Sequence, residues 1–316
     1  MIFYFILFLV SVFLLVFAGG RAVETLTRIS RFLKLREFIV AFILMAFATS
    51  IPELFVGISA AFSNVPELSF GDVLGANIIN LTLAVGLAAL FLGGLEIERE
   101  TVRRGSILMG VVGLLPLLLI LDGEISRIDG CILLLAFIFY LTWLFDREEF
   151  FRKVYDNLDP TIVNFKNFLK DLAMFGGAII LLLLASQGIV KAAVFFAVSL
   201  GVELGIIGIF LVGAGTALPE VYFSIRAGRA GETKMILGNL MGCVVITSTL
   251  VLGLVSLIQP IRISDPSPYG VARIFLLISV LFFLFISRTK SQISKKEGLA
   301  LILIYIAFLV SELALK

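Results

Sequence analysis

Ala48-Thr49-Ser50-Ile51-Pro52-Glu53 and Gly215-Thr216-Ala217-Leu218-Pro219-Glu220 each set a carboxylate directly after a proline inside an otherwise apolar stretch, with a threonine three residues before that proline. A glycine-rich stretch follows each: Gly71-Asp72-Val73-Leu74-Gly75 after the first and Gly238-Asn239-Leu240-Met241-Gly242 after the second. Adding 167 carries Thr49 to Thr216, Pro52 to Pro219, Glu53 to Glu220, Gly71 to Gly238, Gly75 to Gly242 and Gly86 to Gly253. An offset held across both stretches indicates an internal duplication. Asp129-Gly130 and Glu297-Gly298 extend it at an offset of 168.

The surroundings of these motifs are apolar enough for a bilayer. The chain is 60% hydrophobic and 15% charged, with mean hydropathy +1.13, far from the soluble range. Runs long enough to span a membrane fall near 2–18, 38–62, 70–94, 105–121, 128–145, 172–190, 202–225, 235–259, 271–287 and 298–315. The first of these lacks a basic flank and a small-residue cleavage site, so it reads as a retained span rather than a signal peptide. With ten spans, the segments 19–37, 95–104, 146–171, 226–234 and 288–297 share one face and hold 20 of the 25 Lys and Arg. Cytoplasmic loops carry such an excess, which predicts an integral protein of the cell membrane with both termini outside.

The polar stretch from Asp146 separates two groups of five spans. The expected organisation is therefore a first five-helix repeat over 1–145, a cytoplasmic linker over 146–168 and a second repeat over 169–316. Five is odd, so the second repeat enters from the opposite side. The fold class expected is an all-α membrane protein of ten transmembrane helices, arranged as two inverted five-helix repeats with broken helices at an ion site. Residues 21–36 space Leu26, Ile29, Phe32 and Leu33 at helical intervals between Arg28, Arg31 and Lys34, an amphipathic continuation of the first span.

An acid at membrane depth is costly and marks function by default. Proline removes an amide and crowds the carbonyl four residues back, so Pro52 frees the carbonyl of Ala48 and Pro219 that of Gly215. With the Thr49 and Thr216 hydroxyls and the Glu53 and Glu220 carboxylates, these form an oxygen cluster suited to a hard cation such as calcium. Asn80 adds either an amide oxygen or an interhelical hydrogen bond. Gly71, Gly75, Gly238 and Gly242, four apart in each pair, allow close helix approach. A Pro-Glu pair alone could be a kink near a membrane face, but its repetition argues against that. Asp72 reads as a helix-terminal acid near the outer surface, and Glu203 and Glu312 as solvated acids at span ends. The 30 Phe read as lipid-facing packing.

Other classes fit less well. With no histidine, the His-Glu-x-x-His helix of a zinc hydrolase is absent, and no enzyme activity or cofactor is expected. The net charge of +2 is no signal for nucleic acid. Cys131 and Cys243 lie far apart in apolar runs and suggest neither a disulfide nor a zinc site. A passive channel is the remaining rival, distinguished by flux without a counter-ion. The sequence specifies no oligomeric state.

At both motifs, and over nearly its whole length, the chain resembles the sodium/calcium exchanger family of the cation/calcium antiporter superfamily, in its prokaryotic form. The resemblance implies ten spans in two inverted groups of five and antiport of Ca2+ against Na+. It implies Glu53 and Glu220 as shared calcium ligands, assisted by the carbonyls of Thr49 and Thr216. Sodium sites would use Ser50 and the carbonyl of Ala46 in one half and the carbonyl of Gly213 in the other, with Asn80 at a central polar position. The chain departs from the family pattern at Ala76, Ala217 and Cys243, where serine is usual, and at Thr247, where Asp or Asn is usual; by its position Thr247 is counted with the ion-site residues. By this resemblance the second-repeat sodium site lacks two hydroxyls. A proton-driven exchanger on the same fold is the alternative, since two neighbouring carboxylates can carry protons as a coupled pair without histidine.

Overall fold

The computed structural model describes residues 1–32, 47–97, 99–145, 165–229, 233–263, 269–289 and 292–314. Their regular structure is helical apart from four two-residue strands. Helix α1 (Ile2–Phe32) is followed by α2 (Ala48–Phe62), α3 (Glu67–Leu92), α4 (Arg99–Leu119) and α5 (Arg127–Phe145). The second half holds α6 (Phe165–Leu200), α7 (residues 204–216), α8 (Leu218–Arg229), α9 (residues 233–258), α10 (Gly270–Thr289) and α11 (Lys295–Ala314). Among the described residues, seven helices are long and apolar enough to cross a membrane, and Thr49–Phe62 is a shorter apolar helix. Such helices satisfy their own backbone groups where water is absent.

The duplication is visible element by element. Helix α3 carries a π-helical turn at Asn80–Ala84 and α9 one at Thr247–Val251, the same five positions under the offset of 167. Strand β1 (Leu95–Glu96) pairs with β4 (Gln292–Ile293), and β2 (Glu124–Ile125) with β3 (Ile261–Arg262), both antiparallel. To within one residue the offset carries β1 onto β3 and β2 onto β4, so the two ladders are one contact formed twice, each between the halves. Helices α5 and α11 begin in matching capping boxes. Ser126 N donates to Asp129 Oδ2 at 2.8 Å, and Ser294 N to Glu297 Oε2 at 2.8 Å. Helix α11 also packs on α3, and α5 on α9: a Cβ on Gly298 would lie 3.0 Å from the carbonyl oxygen of Gly86, and one on Gly130 3.0 Å from that of Gly253.

The apolar interior divides into two main clusters. One is built on α1 and α6 with α2 and α7, through Val12, Leu15, Val56, Leu182, Ile189 and Val212. The other joins α3, α4, α5, α9, α10 and α11 through Leu81, Met109, Leu133, Val245, Phe283 and Phe308. Helices α1 and α6 pack along each other and are fastened near both ends. Arg28 Nε donates to Asp171 Oδ1 at 2.7 Å, and the Tyr4 and Phe195 rings stack at 3.8 Å. These are equivalent places: the offset carries Arg28 to Phe195 and Tyr4 to Asp171.

The expected extension of the first span is present, since α1 continues unbroken to Phe32, with Arg28 exposed and Ile29 buried. Leu33, Lys34, Ala46 and most of the linker, residues 146–164, lie outside the described residues. Glu203 is exposed as expected, whereas Glu312 is 2% exposed rather than solvated. The buried face of α11 that carries Leu301 and Phe308 continues through position 312 at helical spacing, which draws the Glu312 stem into the protein.

Candidate functional site

The two Pro-Glu motifs lie at equivalent positions but in different local structures. In α2, Pro52 is the fifth helical residue, so the Ala48 carbonyl lacks the amide that would normally reach it. In the second half the chain breaks for one residue at Ala217, between α7 and α8, and Pro219 follows in the first turn of α8. A π-helical turn at Gly208–Val212 loosens the chain further. Irregular backbone at such depth is tolerated where it is enclosed by protein. The Gly75 and Gly71 positions supply that enclosure, because a Cβ on either would fall on a carbonyl oxygen of α7, Ile209 for Gly75 and Gly205 for Gly71. No described residue lies within 4 Å of a Cβ built on Gly238.

Glu53 and Glu220 are both 0% exposed, and none of their four carboxylate oxygens has a hydrogen-bond partner. The two lie within electrostatic range of each other, and both feel Asp72. They are also crossed between the halves: Glu53 lies beside the Thr216 hydroxyl and Glu220 beside that of Thr49. Removing a carboxylate from water costs several kcal/mol unless an opposite charge compensates it. No cation is at hand among the described side chains: the polar neighbours are Thr49, Thr216 and Cys243.

Other expected residues divide sharply. Ser50 is 1% exposed with an unpartnered hydroxyl, and Asn80 is fully buried with both amide atoms unpartnered. Gly213 is buried in the last turn of α7. Thr247, the equivalent of Asn80, is instead committed: its hydroxyl donates to Asn77 Oδ1 at 2.8 Å, while Asn77 Nδ2 donates to Ser248 Oγ at 2.9 Å. Replacing Thr247 by Ala leaves that buried amide oxygen without its partner. A loss of about 1–3 kcal/mol in stability is expected, read as lower thermal unfolding in detergent with calcium affinity changed far less than by substituting either glutamate.

The structure corrects the reading of Asp72. It is 0% exposed rather than a helix-terminal acid near the surface, and its Oδ1 accepts a 2.8 Å hydrogen bond from Thr216 Oγ1. Close packing against α7 through Gly71 removes this turn from the surface. Its equivalent, Asn239, accepts from Thr49 Oγ1 at 3.4 Å, so the threonine of each first motif bonds the Asp or Asn of the other half's second motif. The pairing was signalled by position, since 72 and 239 differ by 167. Among the described residues no three His, Cys, Asp or Glu side chains converge closely enough to hold a metal by themselves. A cation bound between the two glutamates would therefore draw on hydroxyl, amide and backbone oxygens as well, which suits a hard ion.

A sequence profile of the sodium/calcium exchanger proteins matches residues 3–145 and 170–313, nearly the whole chain. The chain belongs to the sodium/calcium exchanger protein family. This exchanger-family chain is 28% identical over 342 residues to the sodium/calcium exchanger MaX1 of Methanosarcina acetivorans, covering 97% of both. It is 29% identical over 307 residues to the inner membrane protein YrbG of Escherichia coli, covering 93% of this chain and 92% of that one. It superposes on the sodium-calcium exchanger NCX_Mj, soaked with Na+ and Ca2+, with a TM-score of 0.64 and 25% identity over 98% of this chain and 99% of that one. The family assignment makes the chain a membrane protein of a cation/calcium antiporter family rather than of an enzyme family.

Proposed function

We propose that the chain is a secondary active antiporter of the cell membrane that exchanges Ca2+ for Na+ by alternating access. Its ten spans form two inverted repeats, 1–145 and 169–316, with both termini outside. The observation that carries this reading is the pair Glu53 and Glu220, one from each half, buried and without a hydrogen bond to any of their four oxygens. Calcium is held between them, with the carbonyls of Thr49 and Thr216 completing its shell. Ser50, Asn80 and the carbonyls of Ala46 and Gly213 serve the monovalent counter-ion, while Thr247 holds Asn77 in place.

Exchange follows from charge. With both glutamates ionised the empty site carries two uncompensated negative charges, and moving it through a medium of low dielectric constant is strongly unfavourable. Bound calcium or bound monovalent ions neutralise it, so the protein changes face only when loaded. The packing of α1 and α6 along each other, in a cluster that reaches the rest of the protein through α2 and α7, supports a moving pair against a core built on the other helices. The fastening of α1 to α6 near both ends makes that pair one body.

The test is radiolabelled calcium uptake into vesicles holding the purified protein, with a sodium gradient and a proton gradient imposed separately. Uptake driven by outward sodium and absent without any gradient is expected. The apolar packing of Ala76 against Ala217, where the family pattern has serine, favours protons as the second reading. Uptake that follows the proton gradient alone selects that driver, and flux without any counter-ion overturns exchange.

A further inference from the structure

The unpartnered oxygens of the site are distributed unequally between the halves. Ser50, Glu53 and Asn80 offer theirs from the first half, and only Glu220 does so among the corresponding positions of the second. The equivalent of Ser50 is Ala217, and it packs with Ala76 and Ile79 in a small apolar cluster. That subsite has lost its hydroxyls. One helical turn from Ala76, on the same face of α3, stands Asp72, fully buried, with Oδ2 unpartnered. The turn 72–76 lies directly against the last turn of α7, since a Cβ on Gly213 would sit 3.0 Å from both the Asp72 carbonyl oxygen and the Ala76 amide. Asp72 Oδ1 is held by Thr216, which leaves Oδ2 as the free oxygen at this break.

We propose that Asp72 is a ligand for the monovalent counter-ion, sodium, in the subsite beside Thr216, Gly213 and Ala217, where its carboxylate stands in for the missing serine hydroxyls. This rests on the exchange reading. One charged oxygen at short range holds a desolvated cation more strongly than a neutral hydroxyl does, so the half that lost its serines retains a sodium site of different composition. The equivalent position in the other half, Asn239, is neutral, and among the described residues its amide oxygen accepts from Thr49. A purely structural Asp72 would need no more than the acceptor that Asn239 already provides to Thr49.

Asp72→Asn separates these roles, because the amide oxygen still accepts from Thr216 while the charge is lost. Thermal unfolding of the purified full chain in detergent is titrated with NaCl, against choline chloride at equal ionic strength, and in parallel with CaCl2. At least a tenfold loss of sodium affinity is expected in the variant, with calcium affinity changed several-fold less. In vesicles, the sodium concentration for half-maximal calcium exchange should rise similarly. Restoring hydroxyls in the triple variant D72N/A76S/A217S should recover much of the sodium response. An unchanged sodium titration in D72N, an equal weakening of both ions, or a wild-type protein indifferent to sodium overturns the proposal. A calcium response that survives in D72N leaves the exchange reading standing, whereas a wild type that responds to neither ion defeats that reading itself. Should D72N not purify, A76S/A217S in the natural background is expected to raise sodium affinity several-fold, and an unchanged affinity overturns the proposal.

Discussion

Glu53→Gln and Glu220→Gln are each expected to abolish calcium exchange while leaving the calcium-free protein no less stable than the natural chain. Both glutamates are fully buried with unpartnered oxygens, so each is an uncompensated charge until a cation arrives. Removing one partner of a desolvated charge pair typically costs about 2–5 kcal/mol, roughly 30- to 5,000-fold in calcium affinity. The amide keeps the shape and one acceptor but not the charge. In the empty protein the sign reverses, because glutamine removes a buried charge that nothing compensated. Ligand that binds only the folded state raises its stability, so calcium should raise the unfolding temperature of the natural chain and do so much less in either variant. Calcium uptake and calcium-dependent unfolding of the same preparations check the result together. A variant that still exchanges calcium at the natural rate would remove that glutamate from the site. The double variant is expected to be little worse than either single one, since the two carboxylates act on one ion and their effects do not add.

The duplication was the most legible feature because it is written in residues that cannot drift. Proline after an unfavourable carbonyl, an acid at depth and glycine under a crossing backbone each have few substitutes, and their fixed offset carried through to the two π-helical turns and the paired strands. What the sequence left hidden depended on which neighbour a side chain meets. Asp72 reads as an end-of-helix acid when only its own span is considered. Its burial follows from Gly71 and Gly75, which let α7 cover that turn. Thr247 and Asn80 occupy equivalent positions, yet one is committed to Asn77 and the other has both amide atoms unpartnered. The difference arises because the position equivalent to Asn77 is Val244, which offers Asn80 no amide. Period and offset fix which residues share a face; they do not fix which hydrogen bonds close across it.

Gly75→Ala is expected to disable the protein by a different route, through packing rather than charge. Its added methyl would fall on the carbonyl oxygen of Ile209 in the π-helical turn of α7, and that neighbour is backbone, which cannot rotate aside. Either α3 or α7 must move, and α7 leads directly into the Ala217 break beside Thr216 and Glu220. Forcing extra methyl volume into a packed interior costs about 1–3 kcal/mol, occasionally more, and here the displaced atoms also set the spacing of the site. A lower unfolding temperature together with loss of calcium exchange is expected, and the calcium-dependent rise in unfolding temperature should shrink as well. Gly176→Ala on the exposed side of α6, where no described atom lies within 4 Å of the new methyl, is the control and should leave calcium exchange unchanged and the unfolding temperature the same or slightly higher, since alanine favours helix over glycine. If Gly75→Ala matched that control, α3 and α7 would not be in backbone contact. The enclosure of the broken helix, and with it the physical reason that unpaired carbonyls are tolerated there, would have to be sought elsewhere.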